Sequence, residues 1–403
     1  MPSLRMPASL AGAGALLWPA ISAVGLAIIA AASIAILNGE LPTLGGSGQI
    51  GGPVKTPTPS NVVIVDPRSN VPGKLVYVKD GNLWIQSGAQ ATQLTTGGND
   101  AMPSWSLDGQ WIYFIRTTAG TGNFPANGVV RTYDLRIPAV VRMHPDGSGL
   151  QTMLSGRISK GSYTWQAFIR QPVPNPDDTT IAMVTDYPDP TVNDVVLKLL
   201  DLKTGGVVNP KLAEVAPLGH QDPAWSPDGG SIVYVKDARN GTQGASVLER
   251  YDLASKSVRA LTGPGYLSPS WSPDGRYLAA TLSTSFGTDI VILDARTGAE
   301  LLRVTTDQLS FDPVWSPAGD AIAFFRVDQG VVDLELVRLQ GSAPGWTIGD
   351  TVPMTHNAGL DAGSRASWYI PPDELPTPGP SSVPSVAFPT LHASAAPQGS
   401  TIP

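Results

Sequence analysis

Two kinds of apolar pattern divide the chain. Near the N-terminus the apolar positions are continuous: no charged residue lies between Arg5 and Glu40, and the 22 residues 16–37 are almost entirely apolar. As a helix these residues would span about 33 Å, which matches the ~30 Å hydrocarbon core of a bilayer. We therefore predict one uncleaved transmembrane signal anchor within residues 8–37. A cleaved signal peptide and a buried core helix are the alternatives.

The charges beside this segment predict its orientation. Arg5 and the terminal amine precede the apolar run, and Glu40 is the first charged residue after it. By the positive-inside rule, residues 1–7 form a short cytoplasmic N-terminus and the rest of the chain is extracytoplasmic. The predicted location is therefore the cell membrane, with a single pass.

Farther along the chain the apolar runs are short and follow a recurring turn. Each run has about five apolar or aromatic residues, the usual length of a strand. The preceding turn recurs as Pro-x-Trp-Ser-Pro-Asp-Gly, with Leu or Ala replacing one residue in two copies; the copies lie at 103–109, 223–229, 269–275 and 313–319. Pro fixes φ, Asp tolerates the third position and Gly adopts the left-handed conformation, so each motif predicts a hairpin.

A second turn signature follows each of these hairpins. Asp-x-x-Thr-Gly and similar turns begin at Asp201, Asp252 and Asp294, so each repeat contains about four short strands. One four-stranded sheet cannot bury both of its faces alone, whereas radial stacking of several sheets can. The repeat therefore predicts an all-β fold, a six-bladed β-propeller of four-stranded antiparallel sheets, preceded by the transmembrane helix.

Six tryptophans mark the predicted blades. They recur at a mean spacing of about 53 residues, and we expect them to pack between neighbouring blades; they are Trp105, Trp165, Trp225, Trp271, Trp315 and Trp368. Residues 73–100 lack a Trp-bearing strand and residues 366–370 resemble one, so together they predict a blade that closes the ring. The propeller is predicted to occupy residues 62–370.

Composition describes the flanks of the propeller. Residues 38–61 are rich in Gly, Pro, Ser and Thr and are predicted to be a flexible linker, and residues 371–403 a Pro-rich disordered tail. The whole chain has 43 glycines and 38 prolines, which disfavour long helical bundles.

Charge and residue counts exclude several functions. The net charge of −7 provides no basic field for nucleic acid. With no cysteine, disulfides and cysteine nucleophiles are excluded, and no Gly-x-Ser-x-Gly nucleophile elbow occurs. No catalytic set is found, so we predict that the protein is not an enzyme.

The candidate ligand-binding residues are polar side chains near the Trp-bearing strands, where chains of a propeller approach the central channel. Converging carboxylates there could bind a cation or a basic peptide; alternatively, each Asp is a turn residue that bonds local backbone. The candidates are Asp100, His220, Asp222, Asp312, His356 and Asp361. Asp222 and Asp312 occupy the same repeat position, directly before Pro, where another copy has Ser268. No resident cofactor or metal is predicted, although the channel could hold a cation.

The repeated motif resembles the TolB-type, WD40-like β-propeller repeat. The resemblance covers nearly all of residues 73–370 and implies the propeller fold. Propellers of this type serve as periplasmic protein-interaction modules, as gating domains of prolyl oligopeptidase-like enzymes and as lyase scaffolds. TolB itself has an additional α/β domain before its propeller, where this chain has the apolar segment and the linker.

The main functional hypothesis is a membrane-anchored extracytoplasmic propeller that binds a protein, a peptide or a cell-envelope glycan without catalysis. The alternative is a metal-dependent lyase or hydrolase with its site in the propeller channel, for which His220 and His356 would be the candidate ligands. A third hypothesis is a purely architectural role in an envelope complex.

Overall fold

The computed structural model describes residues 65–126, 128–214, 219–237 and 246–376. The predicted signal anchor, the linker at 38–61 and most of the Pro-rich tail lie outside these residues. Within the described part of the chain, no helix has both the length and the apolar character needed to span a bilayer.

Six antiparallel sheets form the blades, and each begins with an innermost strand beside the central channel. A short 3₁₀ helix, Pro67–Asn70, precedes them. Blade 1 contains β1 (Lys74–Lys79), β2 (Asn82–Ser87) and β3 (Gln90–Gln93). Blade 2 contains β4 (Asp100–Trp105), β5 (Ile112–Ala126), β6 (Val129–Met143) and β7 (Gln151–Ser155), followed by a hairpin of β8 (Arg157–Lys160) and β9 (Tyr163–Gln166).

The next three blades follow the predicted four-strand pattern. Blade 3 contains β10 (Ile169–Pro174), β11 (Thr180–Thr185), β12 (Val196–Asp201) and β13 (Val207–Val208). Blade 4 contains β14 (His220–Trp225), β15 (Ser231–Lys236), β16 (Val247–Asp252) and β17 (Ser257–Ala260). Blade 5 contains β18 (Tyr266–Trp271), β19 (Tyr277–Ser283), β20 (Thr288–Asp294) and β21 (Glu300–Arg303).

The last blade and the closing strand complete the ring. Blade 6 contains β22 (Ser310–Trp315), β23 (Ala321–Asp328), β24 (Val331–Gln340) and β25 (Thr347–Pro353), and the chain ends its strands with β26 (Ser367–Tyr369). Strand β26 pairs with β1, with Trp368 opposite Leu75, and so becomes the innermost strand of blade 1. The predicted six-bladed propeller and its closure by a C-terminal strand are confirmed.

The core consists of six apolar clusters, one at each interface between neighbouring blades. Repeat tryptophans lie in five of these interfaces, each buried, at positions 105, 225, 271, 315 and 368. The indole N–H of Trp271 donates to the backbone of the preceding blade at Ala224 O (3.1 Å), and Trp225 donates to Val173 O in the same way. In blades 4 and 5, a planar aromatic side chain with one donor therefore joins the sheet to the preceding one.

The structure corrects the role expected for Trp165. This residue lies in β9, outside the innermost strands, where it packs half-buried on Phe124 and Tyr133 (ring centroids 5.2 Å apart in each case). The innermost strand of blade 3 is β10, whose last residue, Pro174, occupies the tryptophan position. The spacing was misleading because the extra hairpin of blade 2 inserts a tryptophan just before a blade that has none.

The Ser-Pro-Asp-Gly turns fold as the motif predicts. In the blade 4 copy, Ser226 Oγ donates to Asp228 Oδ1 (2.5 Å), and the N–H of Gly230 donates to the same oxygen (3.0 Å). Gly229 has a φ of +70°, the left-handed conformation that glycine adopts most readily. Asp228 thus has the structural turn role expected of it.

Candidate functional site

A repeated β-bulge brings polar side chains to the channel. In five blades the pairing of the innermost strand shifts at the residue directly before Pro, and that residue has a positive φ although it is not glycine. The five residues are Met102 (55°), Gln171 (54°), Asp222 (49°), Ser268 (48°) and Asp312 (52°). Left-handed backbone is unfavourable for such side chains, and bulges commonly re-aim a side chain near a site. The same backbone distortion therefore recurs in five blades, at the same position of each innermost strand.

These side chains form a hydrogen-bonded belt across neighbouring blades. The N–H of Asp222 donates to Gln171 Oε1 (2.9 Å), while Gln171 Nε2 donates back to the Asp222 carboxylate. On the other side, the N–H of Ser268 donates to Asp222 Oδ2 (3.2 Å), and Ser268 Oγ donates to Asp312 Oδ1 (2.5 Å). The belt therefore connects blades 3, 4, 5 and 6.

The ring continues through blades 1 and 2 with weaker polarity. The N–H of Gln171 contacts Met102 Sδ at 3.3 Å, and the N–H of Met102 donates to Ser364 Oγ (3.2 Å). Arg365 occupies the corresponding position before β26, and its Nη1 donates to Pro269 O across the channel (2.9 Å). Met102, Gln171 and Arg365 were missed in the sequence; aligning the residue before Pro in every repeat would have identified the first two.

One serine hydroxyl lies between two carboxylates. Ser268 Oγ is 2.5 Å from Asp312 Oδ1 and 3.1 Å from Asp222 Oδ2, yet a hydroxyl has only one hydrogen to donate. Burial, reinforced by the nearby charge of Asp222, raises the pKa of Asp312 to about 6, against the opposing effects of Ser268 and Arg365. A proton held by Asp312 supplies the second donor, because a neutral carboxyl group can donate as well as accept.

The belt lines one end of a large cavity. Its volume is about 1140 Å³, above the 300–1000 Å³ common for small-molecule pockets. All six innermost strands line it, and its wall includes the tryptophans of five blades. The charged lining residues are of both signs: Asp108, Asp222 and Asp312 against Arg170 and Arg365. The cavity is thus an aromatic and apolar funnel with a mixed polar belt, and not a uniformly negative one.

The turns of the repeat also build the mouth of the cavity. Pro176, Pro227, Pro273 and Pro317 are the turn prolines of blades 3 to 6, and all four line it. In blade 2 the same position is Leu107, which is 67% exposed. The residues that fold the hairpins therefore also supply a rim of rigid apolar groups.

Of the six candidate residues, only Asp222 and Asp312 come together. Asp100 is the first residue of β4, where its buried carboxylate accepts from Arg116 Nε (2.7 Å) and Nη2 (2.8 Å). His220 is the buried first residue of β14. Its Nδ1 accepts from the N–H of Leu197 (3.1 Å), and its Nε2 lies 3.0 Å from Ala213 O, so both ring nitrogens bond backbone. Burial lowers the pKa of His220.

The last two candidates lie in the segment between β25 and β26, outside the cavity lining. The exposed His356 has its Nε2 3.1 Å from Asn357 Nδ2, and Asp361 accepts from the N–H of Gly363 (3.1 Å) as a turn residue. Across the described ranges, no three His, Asp or Glu side chains are grouped as they would be to hold a metal ion. The two histidines named as candidate ligands under the alternative hypothesis are therefore not grouped with other such side chains in the described residues.

Comparison with known proteins gives similarity of fold. No family model matches the chain, and no curated protein matches it significantly. Among solved structures, TolB from Acinetobacter baumannii superposes with a TM-score of 0.53 at 17% identity, over 73% of this chain and 66% of that one. A putative TolB from Agrobacterium tumefaciens gives 0.52 at 17% identity, over 75% and 95%.

A third structure, a nidogen/laminin complex, gives a TM-score of 0.51 at 9% identity, over 74% of this chain and 98% of that one. This chain spans about two thirds of the length of the A. baumannii protein. At such identities the likeness is one of architecture. The six-bladed propeller expected from the repeat is therefore the fold that this chain shares with TolB proteins.

Proposed function

We propose that the protein is a non-catalytic binding module whose channel cavity takes up an apolar segment of a partner protein. The observation that supports this most is the cavity itself, with its tryptophan wall, its proline rim and its belt of both signs. Aromatic side chains supply contact area, while paired donors and acceptors suit a peptide backbone better than a single bare ion. TolB and a chain of a nidogen/laminin complex share the fold, and the latter comes from a complex between two proteins.

The setting of this module is also part of the proposal. The apolar run at 16–37 supports an anchor in the cell membrane, with the propeller outside the cytoplasm on the linker at 38–61. A reporter fused after Pro403 should then be active outside the cytoplasm. Activity only inside would overturn the orientation.

Site-specific photo-crosslinking tests the cavity. A photoreactive residue replacing Leu107, at the rim, should form adducts with a discrete protein of the cell envelope. The same residue replacing Leu301, which is exposed on β21 and outside the cavity lining, is the matched control. Adducts at 107 should fall in the double variant D222N/D312N. No adduct at 107, or equal adducts at 301, would contradict the proposal.

The alternative of a metal-dependent lyase or hydrolase gains no support from the described residues. Both ring nitrogens of His220 bond backbone, and His356 does not line the cavity. A glycan ligand and an architectural role would appear in the crosslinking experiment as an absence of protein adducts at the rim.

A further inference from the structure

The long hairpin of blade 2 departs from the repeat. Strands β5 and β6 have 15 residues each, whereas the corresponding strands of the other blades have six to ten. Beyond the blade, residues 117–126 and 129–138 continue as a two-stranded extension. The β8–β9 hairpin packs on it through Trp165, and β9 pairs with the outer edge of β5, with Asn123 opposite Thr164. We call residues 117–138 together with 156–167 the arm.

One edge of the arm is open. Strand β6 pairs with β7 only at residues 139–142, so from Val129 to Pro138 it has β5 on one side and no strand on the other among the described residues. Edge strands display unpaired N–H and C=O groups and can accept an added strand.

The hairpin register shows which residues present those groups. Two residues separate the paired Ala126 and Val129, so this pair closes the ladder and its backbone groups point inward. Inward-pointing and outward-pointing pairs alternate along the ladder. The backbone N–H and C=O groups that point outward, away from β5, are therefore those of Val130, Thr132, Asp134 and Arg136. Three of these residues, Val130, Thr132 and Asp134, have no backbone hydrogen bond outside the ladder in the described structure, and all four are exposed.

Other features of the hairpin support this assignment of inward and outward positions. Pro125 and Pro138, which have no N–H, fall at outward positions. The outward N–H of Arg136 donates to the side chain of Gln166 (Oε1, 2.6 Å), and the outward C=O of Pro138 accepts from Gly156 (2.8 Å). Secondary contacts therefore cap the blade end of the edge and leave Val130 to Asp134 open.

The charge of the arm indicates the partner. The arm has four basic side chains, Arg131, Arg136, Arg157 and Lys160, and one acidic side chain, Asp134, in a chain whose net charge is −7. Lys160 is ion-paired with Asp189 (3.0 Å), so the three arginines carry the excess positive charge. A second copy would bring the same basic arm, so like charges would oppose its pairing, whereas an acidic strand would be attracted. We propose that the edge of β6 from Val130 to Asp134 receives an extended acidic segment of a partner protein by strand addition, at a surface separate from the channel cavity.

A peptide-binding experiment on the full-length protein in mild detergent tests this. The probe is a capped, fluorescent eight-residue peptide of alternating Val and Glu, followed by anisotropy; its Val–Lys counterpart reports the charge preference. Thr132→Pro removes an outward N–H, and Pro is tolerated at such edge positions. Thr121→Pro is the matched control, because Thr121 points outward on the opposite edge of the same hairpin, the edge to which β9 is paired at Asn123.

The expected result is binding of the Val–Glu peptide that weakens about tenfold in T132P and stays within about twofold in T121P and in D222N/D312N. The Val–Lys peptide should bind at least about tenfold more weakly. Equal affinity of T132P and wild type, or no binding at about 1 mM peptide, would overturn the proposal. A dimer in sedimentation that is lost in T132P would assign the edge to a second copy and would also overturn it.

Discussion

The cavity end of the propeller and the arm of blade 2 are built by different means. At the cavity end, one short motif recurs, so that each tryptophan, bulge and turn proline has counterparts in neighbouring blades. The arm has no counterpart: its aromatic side chains pack on one another, and one edge is open. The repeated region is stabilised around the ring, whereas the arm is stabilised locally. The two regions should therefore respond differently to the same substitution.

The largest expected contrast is between two tryptophans. Trp271 is buried between blades 4 and 5 and donates to Ala224, so Trp271→Ala should lower the free energy of unfolding by about 3–5 kcal/mol. Trp165 is half-buried within the arm, so Trp165→Ala should cost about 1 kcal/mol or less of global stability. Denaturant unfolding of both variants measures this. Equal losses would show that the arm unfolds together with the ring.

A glycine pair tests the closure of the ring. A Cβ added to Gly109 would overlap the ring of Tyr369 on the closing strand, whereas a Cβ added to Gly330 would have no atom within 4 Å. Both have positive φ, so alanine costs about 1–2 kcal/mol at each. Gly109→Ala should lose about 1–3 kcal/mol more than Gly330→Ala, because only the first overpacks the closing blade. Similar melting behaviour of the two variants would contradict this account of the closure.

The belt should make stability depend on pH. The pKa of Asp312 is raised to about 6, so between pH 4 and 6 the folded protein holds a proton that the unfolded chain releases. The free energy of unfolding should therefore fall by about 2 kcal/mol as pH rises through this range, and Asp312→Asn should remove that fall.

Asp228 in a repeat turn is the control for the belt. Hydrogen bonds from Ser226 and Gly230 lower its pKa, so its stabilising effect is present above the ordinary carboxyl pKa and is lost on acidification. Asp228→Asn should thus change the pH profile in the opposite direction. Unfolding curves from pH 3 to 8 compare the variants, and an unchanged profile in D312N would show that Asp312 does not hold the proton.

The repeat made the fold predictable because each turn motif specifies its own hairpin. The same reasoning failed at blade 3, where Pro174 replaces the tryptophan and Trp165 precedes it in the arm. Strand pairing decides which segment is innermost: β10 pairs with β11 in blade 3, whereas β9 pairs with β8 and β5. Residue spacing does not contain that information.

The belt was only partly predictable. Asp222 and Asp312 were identified because they share a repeat position, but Asp100 lies two residues earlier and pairs with Arg116 instead. Arg365 has no Pro after it and so lacks the marker of the other copies. The open edge of β6 depends on where β7 stops pairing, which the sequence does not specify.

The smallest expected effect is a difference in stability between two copies of the repeat tryptophan. The indole N–H of Trp271 donates to Ala224 O, whereas the buried indole N–H of Trp315 has no hydrogen-bond partner among the described residues. Phenylalanine removes a similar volume at both positions, but only Trp271→Phe also removes a hydrogen bond, so it should cost about 1 kcal/mol more than Trp315→Phe. Paired denaturant titrations resolve such a difference. An equal loss of stability in Trp315→Phe would mean that the indole N–H of Trp315 forms a hydrogen bond in solution and that the two tryptophans contribute equally. The expected difference implies instead that the blades share a backbone geometry without sharing every hydrogen bond.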